Sequence, residues 1–397
     1  MTQYIQQRIR FLFSTKSGST PKSAVEEYWD GDIQWVTPED LGKLKSRDIY
    51  DTRRKISLEG YRNSGVELAP SGSIVLSKRA PIGQTAILRV DATCNQGCFL
   101  LTPREGVNER FYYYCLISYR PAIEILGRGS TFMELSLDEM RSIRLPFLSL
   151  SNQILIANYL DRETTEIDNL IAEKEKMLAL LEEKREALIS RAVTRGLDSN
   201  ISLKRSGIDW LGDIPKQWCV KKIGYLASLK SGEIISPEVI DKEGAYPVYG
   251  GNGLRGYTNS FTHTGDYVLI GRQGALCGNI NYAHGSFWAS EHAVVVTPLE
   301  KCDIRWLGET LRTMNLNQYS VSAAQPGIAI DRINAIKIPI PSLDEQQLIS
   351  AYLDLEIATI EELLAVIRES ISLLKERRSA LITAAVIGQI RIEDMKA

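Results

Sequence analysis

The chain has 397 residues, of which 24% are charged and 44% hydrophobic, and its formal net charge at pH 7 is −2. This is the composition of an ordinary soluble protein with room for two or three domains. No apolar run approaches the roughly 18 residues that a membrane span needs, and the N-terminal sequence has no signal-peptide profile. We therefore expect a cytoplasmic protein that does not contact a membrane.

The six cysteines are scattered, and only Cys94 and Cys98 lie close together along the chain. Structural zinc sites use paired clusters of ligands, so we expect reduced thiols. His263, His284 and His292 lie in the same region as Cys277, but no ligand spacing repeats. The sequence predicts no metal site.

The first 149 residues predict a compact α+β domain. Short β-type runs, such as Ser73–Ser77, Ala86–Val90 and Cys98–Leu101, alternate with turns that contain proline and glycine. One segment, Arg110–Leu126, has the apolar spacing of a helix.

The stretch Ile143–Val193 returns without a gap as Ile336–Val386. In both copies apolar residues alternate at steps of four and three, which is the heptad pattern of a coiled coil. Polar Thr164 and Lys174 interrupt the first copy. Arg185 and Arg378 occupy one register, where we expect a structural role: their side chains either extend out of the seam to solvent or pair with a nearby acid such as Glu183 or Glu376. The predicted seam residues are Leu160, Ile167, Ile171, Leu178, Leu181, Leu188, Leu353, Ile357, Ile360, Leu364, Ile367, Ile371, Leu374 and Leu381.

The ends of these helices are also indicated by particular residues. Ser342 and Glu345 have the spacing of a capping box, and Gly196 and Gly388 stand where the periodicity stops. A helix from Leu150 to Arg195 would be roughly 70 Å long. Each copy needs a helical partner, and each can serve as the partner of the other.

The segment between the two helices resembles the first domain in sequence, but less closely than the two helices resemble each other. Gln7–Gly18 resembles Lys221–Gly232, and Ser71–Gly83 resembles Thr264–Gly278, an alignment that places Arg79 opposite Arg272. The predicted order is a domain (1–149), a spacer helix (150–196), a second domain (197–341) and a second helix with a C-terminal tail (342–397).

No catalytic signature is present in the sequence. It has no phosphate-binding Walker loop, no dinucleotide-binding glycine motif, no nucleophile elbow, no zinc-hydrolase histidine pair and no methyltransferase or nuclease motif. The globular segments lean basic and the helical ones acidic, which weakly favours a nucleic-acid partner. The pattern indicates a binding protein with no catalytic residues.

Four motifs resemble the specificity subunit of Type I restriction-modification enzymes. They are SGSTP at Ser17–Pro21, IQWVTPEDL at Ile33–Leu41, WLGDIPKQW at Trp210–Trp218 and IPIPSLDEQQLISAYLD at Ile338–Asp354. The resemblance spans nearly the whole chain. It departs at Ser149–Gln153, where SLSNQ replaces the SLDEQ of the second copy, so the first helix cap should be weaker.

The resemblance implies a non-catalytic α+β subunit in which two α/β target-recognition domains alternate with two long helices, packed as an antiparallel coiled coil with pseudo-twofold symmetry. Each domain would read one half of an asymmetric bipartite site in double-stranded DNA, and the helices would set the spacing. Two modification subunits with adenine-N6 methyltransferase activity would dock on it, and restriction subunits could join. S-adenosylmethionine, ATP and Mg²⁺ would be bound by those partners and no cofactor by this chain.

Cations, hydroxyls and amides, mostly in loops near glycine, are the candidate DNA contacts, because they can bind phosphates or donate to base edges. In the first domain they are Lys16, Ser19, Thr20, Lys22, Arg53, Arg54, Lys55, Lys78 and Arg79. In the second domain they are Lys230, Asn252, Arg255, Arg272 and Gln273. Arg272 suits guanine and Gln273 suits adenine, whereas His292 is expected to be a core histidine.

Two other interpretations stay open at this point. The basic residues could form an ordinary solvated face and the glycines ordinary turns, in which case the chain would be a coiled-coil scaffold whose domains bind proteins. A cryptic nuclease or methyltransferase is the third possibility.

Overall fold

The structure is a computed structural model that describes residues 4–44, 46–127, 134–208, 210–274, 276–320 and 327–396. The chain divides into two compact units. The first unit is Met1–Lys174 with Glu369–Ala397, and the second unit is Glu175–Arg368. This division cuts through both long helices, so the predicted domain boundaries at 149, 196 and 341 stay predictions.

Ten strands and seven helices begin in the first unit among the described residues. The strands are β1 Gln6–Arg8, β2 Phe13–Ser17, β3 Trp29–Val36, β4 Asp48–Ile49, β5 Lys55–Ile56, β6 Ile74–Ser77, β7 Thr85–Leu88, β8 Ala92–Cys94, β9 Cys98–Pro103 and β10 Arg144–Pro146. The helices are α1 Ile9–Leu12, α2 Pro38–Lys43, α3 Leu58–Arg62, α4 Glu109–Ser118, α5 Arg120–Leu126, α6 Leu137–Ser142 and α7 Leu150–Arg195. A short 3₁₀ turn covers Glu26–Tyr28.

A five-stranded sheet of order β2-β9-β6-β7-β4 forms the centre of this unit, beside a three-stranded sheet β5-β3-β8 and the ladder β1-β10. Side chains alternate across a strand, and both faces of β6 are buried. Ile74 and Leu76 join the cluster that includes α4, whereas Val75 joins the cluster on the opposite face. A sheet covered on both faces explains the unbroken apolar run in this part of the sequence.

The second unit repeats much of this arrangement. Its strands are β11 Leu203–Arg205, β12 Asp213–Pro215, β13 Cys219–Lys222, β14 Ala227–Ser231, β15 Tyr246–Gly250, β16 Gly253–Thr258, β17 His263–Thr264, β18 Tyr267–Gly271, β19 Ile280–Ala283, β20 Ser286–Ala289, β21 Ala293–Pro298 and β22 Lys337–Ile340. Its helices are α8 Ile223–Leu226, α9 Ile304–Thr313, α10 Ile330–Ala335 and α11 Leu343–Val386, with 3₁₀ turns at Pro237–Val239 and Leu316–Tyr319. The α11 helix ends in the first unit, where a further 3₁₀ turn covers Ile392–Met395.

The sheet order β14-β21-β18-β19 corresponds to β2-β9-β6-β7, and the ladder β13-β22 corresponds to β1-β10. A second four-stranded sheet, β16-β15-β20-β17, and a hairpin, β11-β12, complete the second unit. The faint sequence echo between the two domains therefore reflects a shared strand order.

The two long helices α7 and α11 pack against each other in antiparallel fashion. In the first unit Asp168 pairs with Arg378 at 2.9 Å, and the earlier Ile156 shares a core cluster with the later Ile382. In the second unit Ile189 shares a cluster with Ile349. The predicted pairing of the two copies is confirmed. Neither these nor the other described helices are both long and apolar enough to cross a membrane.

The predicted seam positions are buried to different extents. Nine are buried: Leu160, Ile167, Ile171, Leu353, Ile357, Ile360, Leu364, Ile367 and Ile371. Leu178, Leu181, Leu188, Leu374 and Leu381 are half-buried. Near the end of each helix the buried residue is the one after the predicted seam leucine: Ile189 is 6% exposed and Ile382 is 1% exposed. An α-helix drifts from a strict heptad repeat, so its apolar face turns there toward the globular core.

The two seam arginines are ion-paired, but the expected acids are not their partners. Arg185 lies 3.4 Å from Glu182, and Arg378 reaches across to Asp168 on the other helix. Glu182 is three residues before Arg185 and therefore on the same helix face, whereas Glu183 and Glu376 point elsewhere around the helix.

A buried glutamine ties the first turn of each long helix to its globular part. Gln153 accepts a hydrogen bond from the Asn108 backbone at 2.8 Å, and Asn108 caps α4. Gln346 accepts from the Asp303 backbone at 2.9 Å, and Asp303 caps α9.

The cap at the start of α11 differs from the predicted capping box of Ser342 and Glu345. The Ser342 hydroxyl accepts from the Glu345 backbone at 3.3 Å, but the Glu345 carboxylate accepts from the Trp218 indole at 2.9 Å.

Asp161 and Asp354, which correspond in the repeat, form a second pair of contacts between the long helices and the globular parts. Asp161 accepts from Arg110 at 2.7 Å, from Tyr114 at 2.8 Å, and from Arg47. Asp354 pairs with Arg305 at 3.0 Å. Burial alone would raise the pKa of Asp161, but the hydrogen bonds from Arg47 and Tyr114 outweigh it and hold the pKa below its ordinary value.

The glutamine tie can be tested by Gln346→Leu, which leaves the Asp303 N–H and the Pro341 carbonyl without their buried partner. We expect a loss of about 2 kcal/mol in unfolding free energy, measured by urea denaturation. Gln347→Leu, at the exposed neighbouring position, is the matched control and should change stability little. Equal effects of the two variants would show that the tie contributes nothing.

The aspartate tie predicts a dependence on pH. Asp161→Asn should cost about 2 kcal/mol at pH 7. Because the folded-state pKa is lowered, the wild-type advantage is complete above the unfolded pKa of about 3.9 and disappears as the pH falls through the folded value. Urea denaturation from about pH 6 to about pH 3 should show the two proteins converging. Asp354→Asn, at a 63% exposed carboxyl with one cationic partner, should have a smaller effect.

Candidate nucleic-acid interface

The loop after β2 contains Ser19, Thr20 and Lys22, and it is fastened to the turn between β8 and β9. The Ser19 backbone donates to the Cys94 carbonyl at 3.0 Å, and the Thr20 hydroxyl donates to Gln96. A Cβ on Gly18 would lie 2.1 Å from the Asn95 oxygen, so only glycine permits this close approach. Lys22 is exposed beyond the fastened segment.

The basic triplet lies on a face with two tryptophans. The Arg54 guanidinium is 3.7 Å from the Trp29 ring centroid and 5.5 Å from that of Trp35, a cation–π arrangement. Arg53 pairs with Glu39 at 2.7 Å and Lys55 with Asp51 at 2.9 Å. Exposed pairs of this kind contribute little stability, so a phosphate can compete for these cations.

Lys78 is the most enclosed cation among the candidates of the first unit, with 14% of its side chain exposed. Its ammonium donates to the Ser17 hydroxyl at 3.1 Å and pairs with Glu134 at 3.0 Å, and the same carboxylate pairs with Arg79. Partial burial would raise the pKa of Glu134, but these two cations lower it. Lys16, which directly precedes Ser17 on β2, pairs with Glu67.

In the second unit Arg272, Gln273 and Asn252 meet at one edge of the sheets. Arg272 donates to the Ser231 hydroxyl at 3.0 Å, and the Gln273 side chain contacts the His292 ring at 3.1 Å. Asn252 accepts from Asn279 at 3.4 Å.

Two glycines lie so close to these residues that a side chain in their place would collide with them. A Cβ on Gly251 would lie 3.0 Å from the Gln273 carbonyl oxygen, and one on Gly250 would lie 2.4 Å from Cδ of Arg255. Arg255 itself is exposed, as is Lys230 on β14. This edge therefore presents cations and amides to solvent on a closely packed backbone.

The strand register corrects the alignment of the two domains. Ile74 pairs with Leu101, two residues before Pro103, and Val268 pairs with Val296, two residues before Pro298. Ile74 and Val268 are therefore equivalent, and Lys78 and Arg272, the fourth residue after each, are equivalent too. The predicted correspondence of Arg79 with Arg272 is wrong, because an ungapped comparison of sequences cannot detect a one-residue shift along a strand.

The corrected register shows the same contact in both units. Lys78 donates to Ser17 at the end of β2, and Arg272 donates to Ser231 at the end of β14. The two serines were not among the predicted residues. The signal was present, since Lys-Ser-Gly ends both of the aligned stretches at Gly18 and Gly232.

His292 also differs from expectation. It is 43% exposed and contacts Glu291 at 3.1 Å as well as Gln273, so it belongs to the polar edge rather than to the core. Within the described ranges, no group of three or more His, Cys, Asp or Glu residues is placed so that it could hold a metal ion. Cys94 and Cys98 are buried and free, and burial raises the pKa of the Cys98 thiol to about 12.

Comparison with known proteins assigns the chain to a family. The family model described as the Type I restriction modification DNA specificity domain matches residues 7–179 and again residues 215–371. The chain belongs to this family. Each match covers one globular part and much of the long helix that follows it, in agreement with the repeat.

Two relatives and two solved structures are similar over most of this specificity subunit. The Type I restriction enzyme EcoprrI specificity subunit of Escherichia coli is 31% identical over 86% of this chain and 85% of its own. The MjaVIII specificity subunit of Methanocaldococcus jannaschii is 21% identical over 95% of this chain and 91% of its own.

One solved structure, from work on complex assembly and conformational transition of the type I R-M system, has a TM-score of 0.78 at 15% identity and covers 98% of this chain and 99% of its own. The HsdS subunit of Thermoanaerobacter tengcongensis has a TM-score of 0.56 at 15% identity, with 98% of both chains covered. At this identity the likeness concerns the fold.

Proposed function

We propose that this specificity subunit reads an asymmetric, two-part site in double-stranded DNA, one half with each domain. The observation that carries the proposal is the repeated contact of a loop cation with the strand-end serine, Lys78 with Ser17 and Arg272 with Ser231. The same scaffold position carries a different cation in each domain. Base edges are discriminated by the identity of the side chain presented to them, so two such positions suit two different half-sites.

The neighbouring residues supply both kinds of DNA contact. Exposed cations such as Lys22, Lys230 and Arg255 suit phosphates, which position a protein on the duplex without reading its sequence. Gln273 can form the paired hydrogen bonds that recognise adenine, and Arg272 those that recognise guanine.

The long helices would set the distance between the half-sites and dock two modification subunits. Exposed apolar residues on them support docking: Leu348, Leu355 and Val366 on α11 in the second unit, and Leu150, Ile154 and Leu170 on α7 in the first. A repeated surface in one chain gives two similar sites for one kind of partner. The partners would contribute S-adenosylmethionine, ATP and Mg²⁺ chemistry, including restriction, and this chain would contribute recognition without catalysis.

The proposal is tested by selecting bound duplexes from a random pool with the chain and its modification subunit together. An enriched motif of two specified parts separated by a fixed unspecified gap is expected. A pool without such a motif would contradict DNA reading and favour a protein-binding scaffold. The chain alone, given Mg²⁺ or S-adenosylmethionine, should leave DNA unchanged, and any conversion would reveal a catalytic activity of its own.

Recognition should also be modular. Arg272→Ala should relax base preference in one half-site, with a cost of about 1–3 kcal/mol in binding, and leave the other half-site unaltered. Repeating the pool selection with the variant measures both halves at once. Arg332→Ala, which removes an exposed cation from α10 in the same unit, is the control and should keep both halves. Equal relaxation of both half-sites by Arg272→Ala would refute the division of reading between domains.

A further inference from the structure

Three arginines line one cavity of about 470 Å³ in the first unit, and none of the three is among the predicted DNA contacts. They are Arg10, Arg104 and Arg141, and they come from three separate segments of the chain. The hydroxyl-bearing residues Ser14 and Ser142 also line the cavity. Among the described residues, Asp138 is the only acid in its lining.

The segments that carry these arginines are held in place by the fold. Arg10 lies on α1 beside the buried Ile9. Arg104 directly follows β9, and its backbone donates to the Leu12 carbonyl at 2.9 Å. Arg141 lies on α6 and donates to the Thr15 hydroxyl at 2.8 Å and to the Thr15 carbonyl at 3.2 Å. The fold therefore brings the three cations to one cavity through backbone and neutral contacts.

None of the three arginines forms an ion pair with a carboxylate in the parts of the chain that the structure describes. The contacts recorded for Arg141 are to the neutral oxygens of Thr15, and the Arg10 guanidinium lies 4.9 Å from the centroid of the adjacent Phe11 ring. Grouped like charges repel one another, and a bound anion would relieve that repulsion. The cavity thus has the charge of an anion-binding site.

The second unit provides an internal comparison, because it builds the same corner with the same backbone contacts. Ile9 donates to the Ile143 carbonyl at 2.9 Å, and Ile223 donates to the Ile336 carbonyl at 2.9 Å. The residue after β21, Leu299, donates to the Leu226 carbonyl at 2.8 Å, as Arg104 does to Leu12. The two corners can therefore be compared position by position.

In the second unit the positions of the three arginines are taken by Gly224, Leu299 and Asn334. A Cβ on Gly224 would lie 3.3 Å from Cβ of Asn334, so small side chains close this corner. The scaffold consequently does not need arginine at any of the three positions. At these three equivalent positions, arginine is present in the first unit and absent from the second.

We propose that this arginine corner, formed by Arg10, Arg104 and Arg141, binds a phosphate group. Planar guanidinium groups match phosphate oxygens with paired hydrogen bonds, and the Ser14 hydroxyl adds a further donor. The phosphate can belong to the DNA backbone, which rests on the proposed function, or to a free phosphate compound, which does not. Either source gives the first unit an anion contact that the second unit lacks.

The first experiment titrates the full chain with inorganic phosphate by calorimetry at constant ionic strength, with chloride as the balancing ion. The variant carries Arg10→Gly, Arg104→Leu and Arg141→Asn together, which are the residues that the second unit tolerates at these positions. If the site takes free phosphate, binding to the variant should be at least about tenfold weaker. Arg104→Gln, at one exposed position, gives the same comparison if the triple variant fails to fold.

The second experiment measures DNA affinity of the complex with the modification subunit against salt concentration. If the site holds a backbone phosphate, the slope of log K against log salt should be shallower by about one in the variant, with the preferred sequence unchanged. Asp138→Asn should act in the opposite direction and tighten phosphate or DNA binding. Arg62→Gln, which removes an exposed cation on α3, should alter neither measurement.

Weaker phosphate binding or a shallower salt slope in the arginine variant supports the site and identifies its source of phosphate. Unchanged phosphate titration together with an unchanged slope overturns it. A wild-type complex that binds no DNA would contradict the proposed function instead, and the phosphate titration would then decide the arginine corner by itself.

Discussion

Each long helix carries an apolar seam that must be covered, and the rest of the structure depends on how the two helices cover it. Burial of side chains such as Leu160, Ile167, Leu353 and Ile360 removes them from water. Because the partner lies in the same chain and runs antiparallel, the start of each helix comes beside the end of the other. Each compact unit therefore contains the start of one long helix and the end of the other.

The globular parts are joined to this helix pair by polar contacts that recur in both copies. Gln153 and Gln346 satisfy the backbone at the caps of α4 and α9, and Asp161 and Asp354 receive arginines from those same helices. Amides and carboxylates form directional hydrogen bonds, so such contacts favour one orientation where apolar packing alone would permit several. These hydrogen bonds thus act together with the shared apolar clusters in holding each domain on its helix.

The two domains share a backbone arrangement but carry different side chains at equivalent positions. The strand-end serine contacts lysine in one domain and arginine in the other, and the corner that holds three arginines in the first unit holds glycine, leucine and asparagine in the second. Neither change disturbs the surrounding backbone hydrogen bonds. The scaffold can therefore keep its fold while the side chains on its surface differ between the two domains, which is what the proposed reading of two unlike half-sites needs.

The sequence by itself determined the duplication, the two long helices and the order of domain and helix, because heptad spacing and internal repetition are properties of neighbouring residues along the chain. It also indicated the family through four local motifs. Only the tertiary structure decided that Lys78 corresponds to Arg272, that His292 lies at a polar edge, and that Arg10, Arg104 and Arg141 line one cavity. Those relations join residues far apart in sequence, and strand register and burial, which no local pattern encodes, bring them together.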